Sequence, residues 1–189
     1  MKKFELTSET KINIFGKKLF RIKALISFGD VEAGETGGWV EKEGNVNQSG
    51  DAWVFDNAEV FDNARVFGNA EVSGNARVFG NAEVFGNAWV SGNARVFGNA
   101  EVSDNAWVSG NAEVSDNADY ATIHGFGTQF RTTTFFRCKD KQVKVSCGCF
   151  YGTIPEFCEQ VKNTRKGKIA EEYLMIADLM EKHFAEEAK

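Results

Sequence analysis

Ala64-Arg65-Val66-Phe67-Gly68-Asn69 is one statement of a phrase that residues 52–117 repeat eleven times without an insertion. Each unit reads Ala, then Glu, Arg or Trp, then Val, then Phe or Ser, then Gly or Asp, then Asn; Ala100-Glu101-Val102-Ser103-Asp104-Asn105 is another. In an extended chain Ala and Val, two apart, point to one side and the residue between them to the other. Val favours a pleated strand through its branched Cβ. The Gly/Asp-Asn pair tolerates positive φ, so the chain can turn a corner every sixth residue. A short strand and a corner, repeated, make a coil, and stacked coils pair each strand with its equivalents above and below. No unit can bury its Ala and Val alone, so the stack is the fold.

A period of six resembles that of the hexapeptide-repeat family, whose left-handed β-helix uses three hexads per triangular coil. The family places an aliphatic residue at one position and a small one four further on, as Val66 with Ala70 and Val84 with Ala88 do. Directly after the aliphatic residue the family usually has a small one. Here that place holds Phe or Ser, with Gly or Asp one later, so the family's corner geometry is not carried over. Three hexads per coil imply that every third hexad stacks. The outward residues then sort into one face with Trp53, Glu71, Trp89 and Trp107, a second with Glu59, Arg77, Arg95 and Glu113, and a third with Arg65, Glu83, Glu101 and Asp119. Phe61, Phe79 and Phe97 fall on the second face, Phe67 and Phe85 on the third, and Ser73, Ser91 and Ser109 on the Trp face. Like residues stack in any solenoid, each pair contributing about 0.2–1 kcal/mol. A contiguous aromatic stripe is also what a partner surface looks like. The Phe stripe is accordingly expected to be an interface, and the Trp face is a ligand or partner candidate.

The chain has 189 residues, 42% hydrophobic and 13% aromatic, which is ample for a packed core. A net charge of −5 argues against a nucleic-acid partner held by general basic surface. No apolar run follows Met1-Lys2-Lys3, and no stretch approaches the ~20 apolar residues of a membrane span. The reading is a cytoplasmic protein without a membrane partner, its four cysteines reduced.

Before the repeat, Lys11–Phe15 and Leu19–Lys23 flank a Gly16-Lys17-Lys18 turn and read as a hairpin. The Gly-rich run that ends in Gly37-Gly38-Trp39-Val40 lacks the Gly-Lys-Ser/Thr ending of a phosphate loop. It reads as the lead-in that brings Trp39 over the open end of the first coil, with coiling from about Val46. Phe20–Leu25, Asp30-Val31, Gly37–Val40 and Gly50–Val54 together resemble the N-terminal block of uncharacterised bacterial and phage hexapeptide-repeat proteins. That resemblance, over residues 4–120, implies a left-handed β-helix and a trimer and carries no catalytic residue. After Asn117, Phe130–Cys138 and Gln142–Phe150 read as two strands around a Lys139-Asp140-Lys141 turn. A helix starts at Pro155 and runs to Asn163, and a basic loop from Lys162 to Lys168 leads to a second. The last helix carries Ile169, Tyr173, Ile176, Met180 and Phe184 on one face. This ββαα unit, with its Cys-Gly-Cys-Phe, resembles the C-terminal piece of phage and prophage proteins. The expected architecture is mainly β: an N-terminal β hairpin and cap over residues 1–45, a hexapeptide-repeat β-helix over 46–127 and a small α/β unit over 128–189.

Two histidines constrain the chemistry. The acyltransferases of the hexapeptide family use a His base at a subunit boundary and loops extruded from the coil; the carbonic anhydrases on the fold need three His around zinc. Here His124 is the placed general-base candidate, with a structural His at the coil's end as the plainer reading; His183 reads as surface. Cys147 and Cys149 alternate on a predicted strand and could reach a metal with Cys138, but with Cys158 they fit zinc spacing less well than buried thiols. Lys162, Arg165 and Lys166 could dock a phosphate, against the plainer reading of a solvated loop. No cofactor is called for. The expectation is a non-enzymatic, homo-oligomeric β-helix binding protein, phage-derived and acting on a host protein or a small nucleotide-like ligand. Its candidate binding residues are Trp53, Trp89, Trp107, Phe61, Phe79, Phe97, Arg77, Arg95, Lys162, Arg165 and Lys166. The alternatives are an acyltransferase with an inter-subunit site and a polymer-forming scaffold.

Overall fold

The computed structural model describes residues 2–185 and shows a parallel β-solenoid of about four coils. Strands β1 (Phe4–Ile12), β2 (Lys18–Ala24) and β3 (Thr36–Val40) precede it. The repeat supplies eleven two-residue strands, each made of the outward residue and Val. These are β4 (Trp53–Val54), β5 (Glu59–Val60), β6 (Arg65–Val66), β7 (Glu71–Val72), β8 (Arg77–Val78), β9 (Glu83–Val84), β10 (Trp89–Val90), β11 (Arg95–Val96), β12 (Glu101–Val102), β13 (Trp107–Val108) and β14 (Glu113–Val114). Every third strand pairs, in the orders β4-β7-β10-β13, β5-β8-β11-β14 and β6-β9-β12. The three expected faces are therefore present, except that Asp119 leaves the third. It ends a short 3-10 turn (Asn117–Asp119), accepts hydrogen bonds from Ser115 and Asp116, and pairs with Arg137 at 3.4 Å.

Hydrogen bonds run from each coil to the next, as in Trp53 N–H to Ala70 O (3.0 Å), Glu71 N–H to Ala88 O (2.9 Å) and Trp89 N–H to Ala106 O (2.8 Å). Every Ala and Val of the repeat is buried and belongs to one continuous core. At the corners Ala N–H bonds back three residues, as from Ala58 to Phe55 O at 3.1 Å. The first corner residue has positive φ, +70° at Gly92 and +59° at Asp104. Asparagine side chains stack along the outside, Asn69 to Asn87 to Asn105 at 3.0 and 3.2 Å.

The N-terminal strands extend the second face, giving the order β1-β2-β3-β5-β8-β11-β14, with β3 parallel to β5. Trp39 was expected over the open end of the first coil. It lies instead in register with Glu59, outside the core, packed on Leu19 and Phe61 between Lys11 and Arg21. The residues that close over Trp53 are Phe4 (5.8 Å, edge-on) and Phe28 (5.3 Å, edge-on). Gly37 and Gly38 let β3 approach this closely: a Cβ on Gly37 would lie 2.6 Å from the Trp53 ring. Lys3 completes the closure, donating to Gly50 O and Ala52 O.

At the other end, β15 (Tyr120–Phe126), β16 (Arg131–Arg137), β17 (Val143–Cys147) and β18 (Phe150–Thr153) form an antiparallel sheet in that order. The expected second strand is thus two strands, because Gly148 turns the chain at φ +61°. Residues 120–126, read as decayed repeat, form the sheet's first strand. Phe136 and Cys138 enter the core of the coil, and Trp107 N–H donates to Thr134 Oγ1 (3.0 Å). Helices α1 (Ile154–Thr164) and α2 (Gly167–Phe184) pack on this sheet around Phe135, Phe157, Tyr173 and Ile176. Thr153 and Glu156 form a capping box at the start of α1, with Pro155 in its first turn. Lys162 lies within α1, so the link between the helices is only Arg165-Lys166. Among the described residues no helix is long and apolar enough to cross a membrane.

Two outcomes follow. Gly92 has φ +70°, and a Cβ there would meet Gly110 N at 2.9 Å; Asp56 occupies the equivalent corner at φ +53° and accepts from Gly74 N–H. Gly92→Val is expected to cost more than about 2 kcal/mol in urea unfolding, since the left-handed conformation alone costs a branched residue roughly 1–2 kcal/mol. Gly92→Asp should cost clearly less. Burial also lowers the Lys3 pKa to about 8, against an opposing pull from Asp51. The unfolded chain then binds this proton more tightly, so the stability linked to Lys3 rises as pH goes from about 8 towards the unfolded value near 10.5. Between pH 7.5 and 9.5 the wild type should gain up to about 2 kcal/mol relative to Lys3→Met in paired urea titrations.

Candidate functional site

The second face carries the ladder Glu59–Arg77–Arg95–Glu113, in which the two arginines are direct cross-strand neighbours. Like charges so placed repel, and each guanidinium pairs with the carboxylate on its other side. Arg77 Nε lies 3.3 Å from Glu59 Oε2, and Arg95 donates to Glu113 Oε1. Glu59 is buried and also takes Lys11 Nζ at 2.8 Å. Arg95 lies over the Phe79 and Phe97 rings at 5.5 and 5.2 Å. The Nε of Arg95 is buried without a hydrogen-bond partner among the described residues, whereas the buried Nε of Arg77 has the Glu59 carboxylate beside it, within ion-pair distance but outside hydrogen-bond geometry.

Where this ladder meets the β16–β17 turn, a groove of about 620 Å³ opens. Arg77, Arg95 and Lys139 line it with Asn93, Asn111 and Glu113. Asp140 stands at the same turn, so three cations face two carboxylates. Lys139 N–H donates to Asn111 O (3.2 Å), and Ala112 forms an isolated bridge with Cys138, which fixes the turn to the coil. Lys139 had no functional reading in the sequence; no local signal says that its turn folds back beside Arg95.

The aromatic ladders form as sorted. Phe61, Phe79 and Phe97 stack at 5.0 and 5.1 Å, and Phe67 stacks on Phe85 at 4.9 Å. The Phe61 end of the first ladder is covered from within the chain: Phe15 lies 5.5 Å from Phe61 and 5.3 Å from Phe79. Only Phe79 and Phe97 of that set retain exposure. The three Trp residues divide. Trp53 is fully buried, while Trp89 is 40% exposed, stacks on Trp107 at 5.0 Å and donates to Ser73 Oγ at 3.0 Å. Glu71 sits between Trp53 and Trp89 in the ladder, its carboxyl raised by burial first and by Asp30 second.

The remaining candidates are dispersed. His124 is exposed on β15, its Nδ1 3.3 Å from Thr132 Oγ1, and His183 lies on α2 against the Phe184 ring. Lys162, Arg165 and Lys166 are exposed around the end of α1. Cys138 is buried at the end of the coil, where desolvation lifts its thiol to about 11. Cys147 ends β17 and accepts from Thr133 Oγ1, Cys149 is exposed in the following turn, and Cys158 lies on α1. The shared strand face expected for Cys147 and Cys149 is thus broken by Gly148. No group of three or more His, Cys or carboxylate side chains among the described residues is placed to hold a metal. No protein-family model matches the chain, and no curated protein matches it.

The division of the Trp face is measurable. Trp53→Ala should cost about 3–5 kcal/mol, as for a fully buried aromatic. Trp89→Ala, which removes a stacked but exposed ring, should cost about 1 kcal/mol in the same denaturation assay.

Proposed function

We propose that this chain is a non-enzymatic, homo-oligomeric binding protein. On this reading the solenoid is a left-handed, hexapeptide-type β-helix, trimeric like the proteins its N-terminal block resembles. The phage and prophage resemblance makes a host protein or a small nucleotide-like ligand the target. One observation supports binding most directly: the groove of Arg77, Arg95 and Lys139, in which two arginines are cross-strand neighbours and the buried Arg95 Nε has no hydrogen-bond partner among the described residues. Such a notch suits an acidic group, since bringing one to it relieves the repulsion between the arginines. The exposed Trp89 and the half-buried Phe97 offer apolar contact on neighbouring faces of the same coil.

Native mass spectrometry of the protein as purified from cells tests this reading. A discrete oligomer carrying an anionic small molecule or an acidic protein is expected, with the association weakened about tenfold or more in Arg77→Gln and Arg95→Gln. A bare monomer with no retained partner would defeat it. Saturable acetyl-coenzyme A binding abolished by His124→Ala would replace it with the acyltransferase alternative, and filaments growing with concentration would replace it with the scaffold.

A further inference from the structure

The C-terminal unit contains a second recess, separate from the groove on the coil. It lies between the Cys147–Phe150 turn and the end of α1, with a volume of about 110 Å³. Arg131, Arg165, Gln160 and Thr164 line its polar side, and Phe157 and Tyr173 belong to its apolar side. Each arginine is placed by a feature of the local backbone. Arg131 heads β16 and lies against Gly148, where a Cβ would collide with its Nη1. Arg165 follows the last turn of α1, its N–H donating to Val161 O at 2.8 Å. Tyr173 packs over Gly127, where a Cβ would strike its hydroxyl, and donates to Phe126 O at 3.3 Å. Burial raises the Tyr173 pKa, Cys147 adds to this, and Arg165 and Arg131 oppose it.

The charge in this recess is one-sided. Among the described residues no Asp or Glu lines it, although the chain carries 27 of them and a net charge of −5. The other five arginines are all anchored: Arg21 to Asp56 O, Arg65 to Glu83, Arg77 to Glu59, Arg95 to Glu113 and Arg137 to Asp119. Among the described residues Arg131 and Arg165 have no carboxylate within ion-pair distance.

We propose that Arg131 and Arg165 form a binding site for a phosphate group. Two guanidiniums match the charge of a phosphate dianion, whereas one carboxylate would leave a cation uncompensated. Their planar forks suit its oxygens, and the Gln160 amide adds N–H donors. The volume is that of roughly three or four waters at ~30 Å³ each, enough for the group itself. Both guanidiniums are exposed at the rim, so a phosphate can reach them, while the buried Phe157 and Tyr173 form the floor beneath. This site stands apart from the groove of Arg77 and Arg95 and does not depend on it.

Cys149 reports on occupancy, because it is exposed and lines the same recess. The test uses the full-length protein, inorganic phosphate and constant ionic strength. Thermal unfolding and carboxymethylation of Cys149 by iodoacetate, read by peptide mass, are followed together. Phosphate should raise the unfolding temperature saturably and slow Cys149 modification several-fold. Arg131→Gln and Arg165→Gln should each raise the half-maximal phosphate concentration about tenfold, while Lys182→Gln, on α2 outside the recess and paired with Asp178, leaves it unchanged. A phosphate effect that never saturates, or that survives both arginine changes, is general salting and overturns the site. Equal protection by acetate would overturn the assignment to phosphate. Circular dichroism of each variant without phosphate separates lost binding from lost folding; if Arg131→Gln does not fold, the exposed Arg165→Gln still decides.

Discussion

The hydrogen bond between a strand residue and the coil that follows it is the constraint on which the rest of this structure depends. A two-residue strand is far too short to be stable alone. It persists here because each N–H and C=O meets the equivalent strand one coil away, as Trp53 meets Ala70 and Trp89 meets Ala106. The bond fixes an identical register throughout, so Ala and Val always face inward and the residue between them outward. A slip of one residue would turn every valine into solvent. The ladders of Asn, Phe and Trp are consequences of that register, since like residues can stack only once the coils are aligned.

The same bond leaves both ends of the stack incomplete, and the chain spends its remaining residues there. At the start, β3 pairs with β5 and Lys3 takes up two carbonyls of the first coil, while Phe4 and Phe28 close over Trp53. At the finish, Phe136 enters the core, Thr134 accepts the Trp107 N–H, and Tyr120 and Asn117 satisfy Glu101 O and N–H. These are side-chain solutions to a backbone problem, which is why neither terminal segment repeats. They also bring the β16–β17 turn beside Arg95, so the groove is a by-product of closing the coil.

Charge then distinguishes the two recesses. On the coil, Arg77 and Arg95 are forced together by register and partly compensated by Glu59 and Glu113. In the C-terminal unit, Arg131 and Arg165 line one recess through tertiary packing, with no carboxylate among the described residues beside them. The first arrangement suits an acidic group reaching a mixed-charge surface; the second suits a small dianion between two unpaired cations.

The repeat was legible because its information is local and redundant. Eleven copies of one pattern determine the coil, the inward Ala and Val, the corner at Gly or Asp and, with three hexads per coil, the faces. The ends were not legible, because they are settled by single contacts between residues far apart in sequence. Nothing local distinguishes Trp39, which lies outside the core, from Phe4 and Phe28, which close it. Nothing in Phe15 announces that it will cover Phe61. The sites divide the same way. Arg77 and Arg95 could be paired by counting hexads, whereas Lys139 joins them only when the C-terminal sheet docks. Arg131 and Arg165 come together only through the turn at Gly148 and the packing of α1 on its sheet. The sequence by itself determined what periodicity can encode; the tertiary structure decided what one-off contacts encode, because only a repeated interaction leaves a pattern that can be read along the chain.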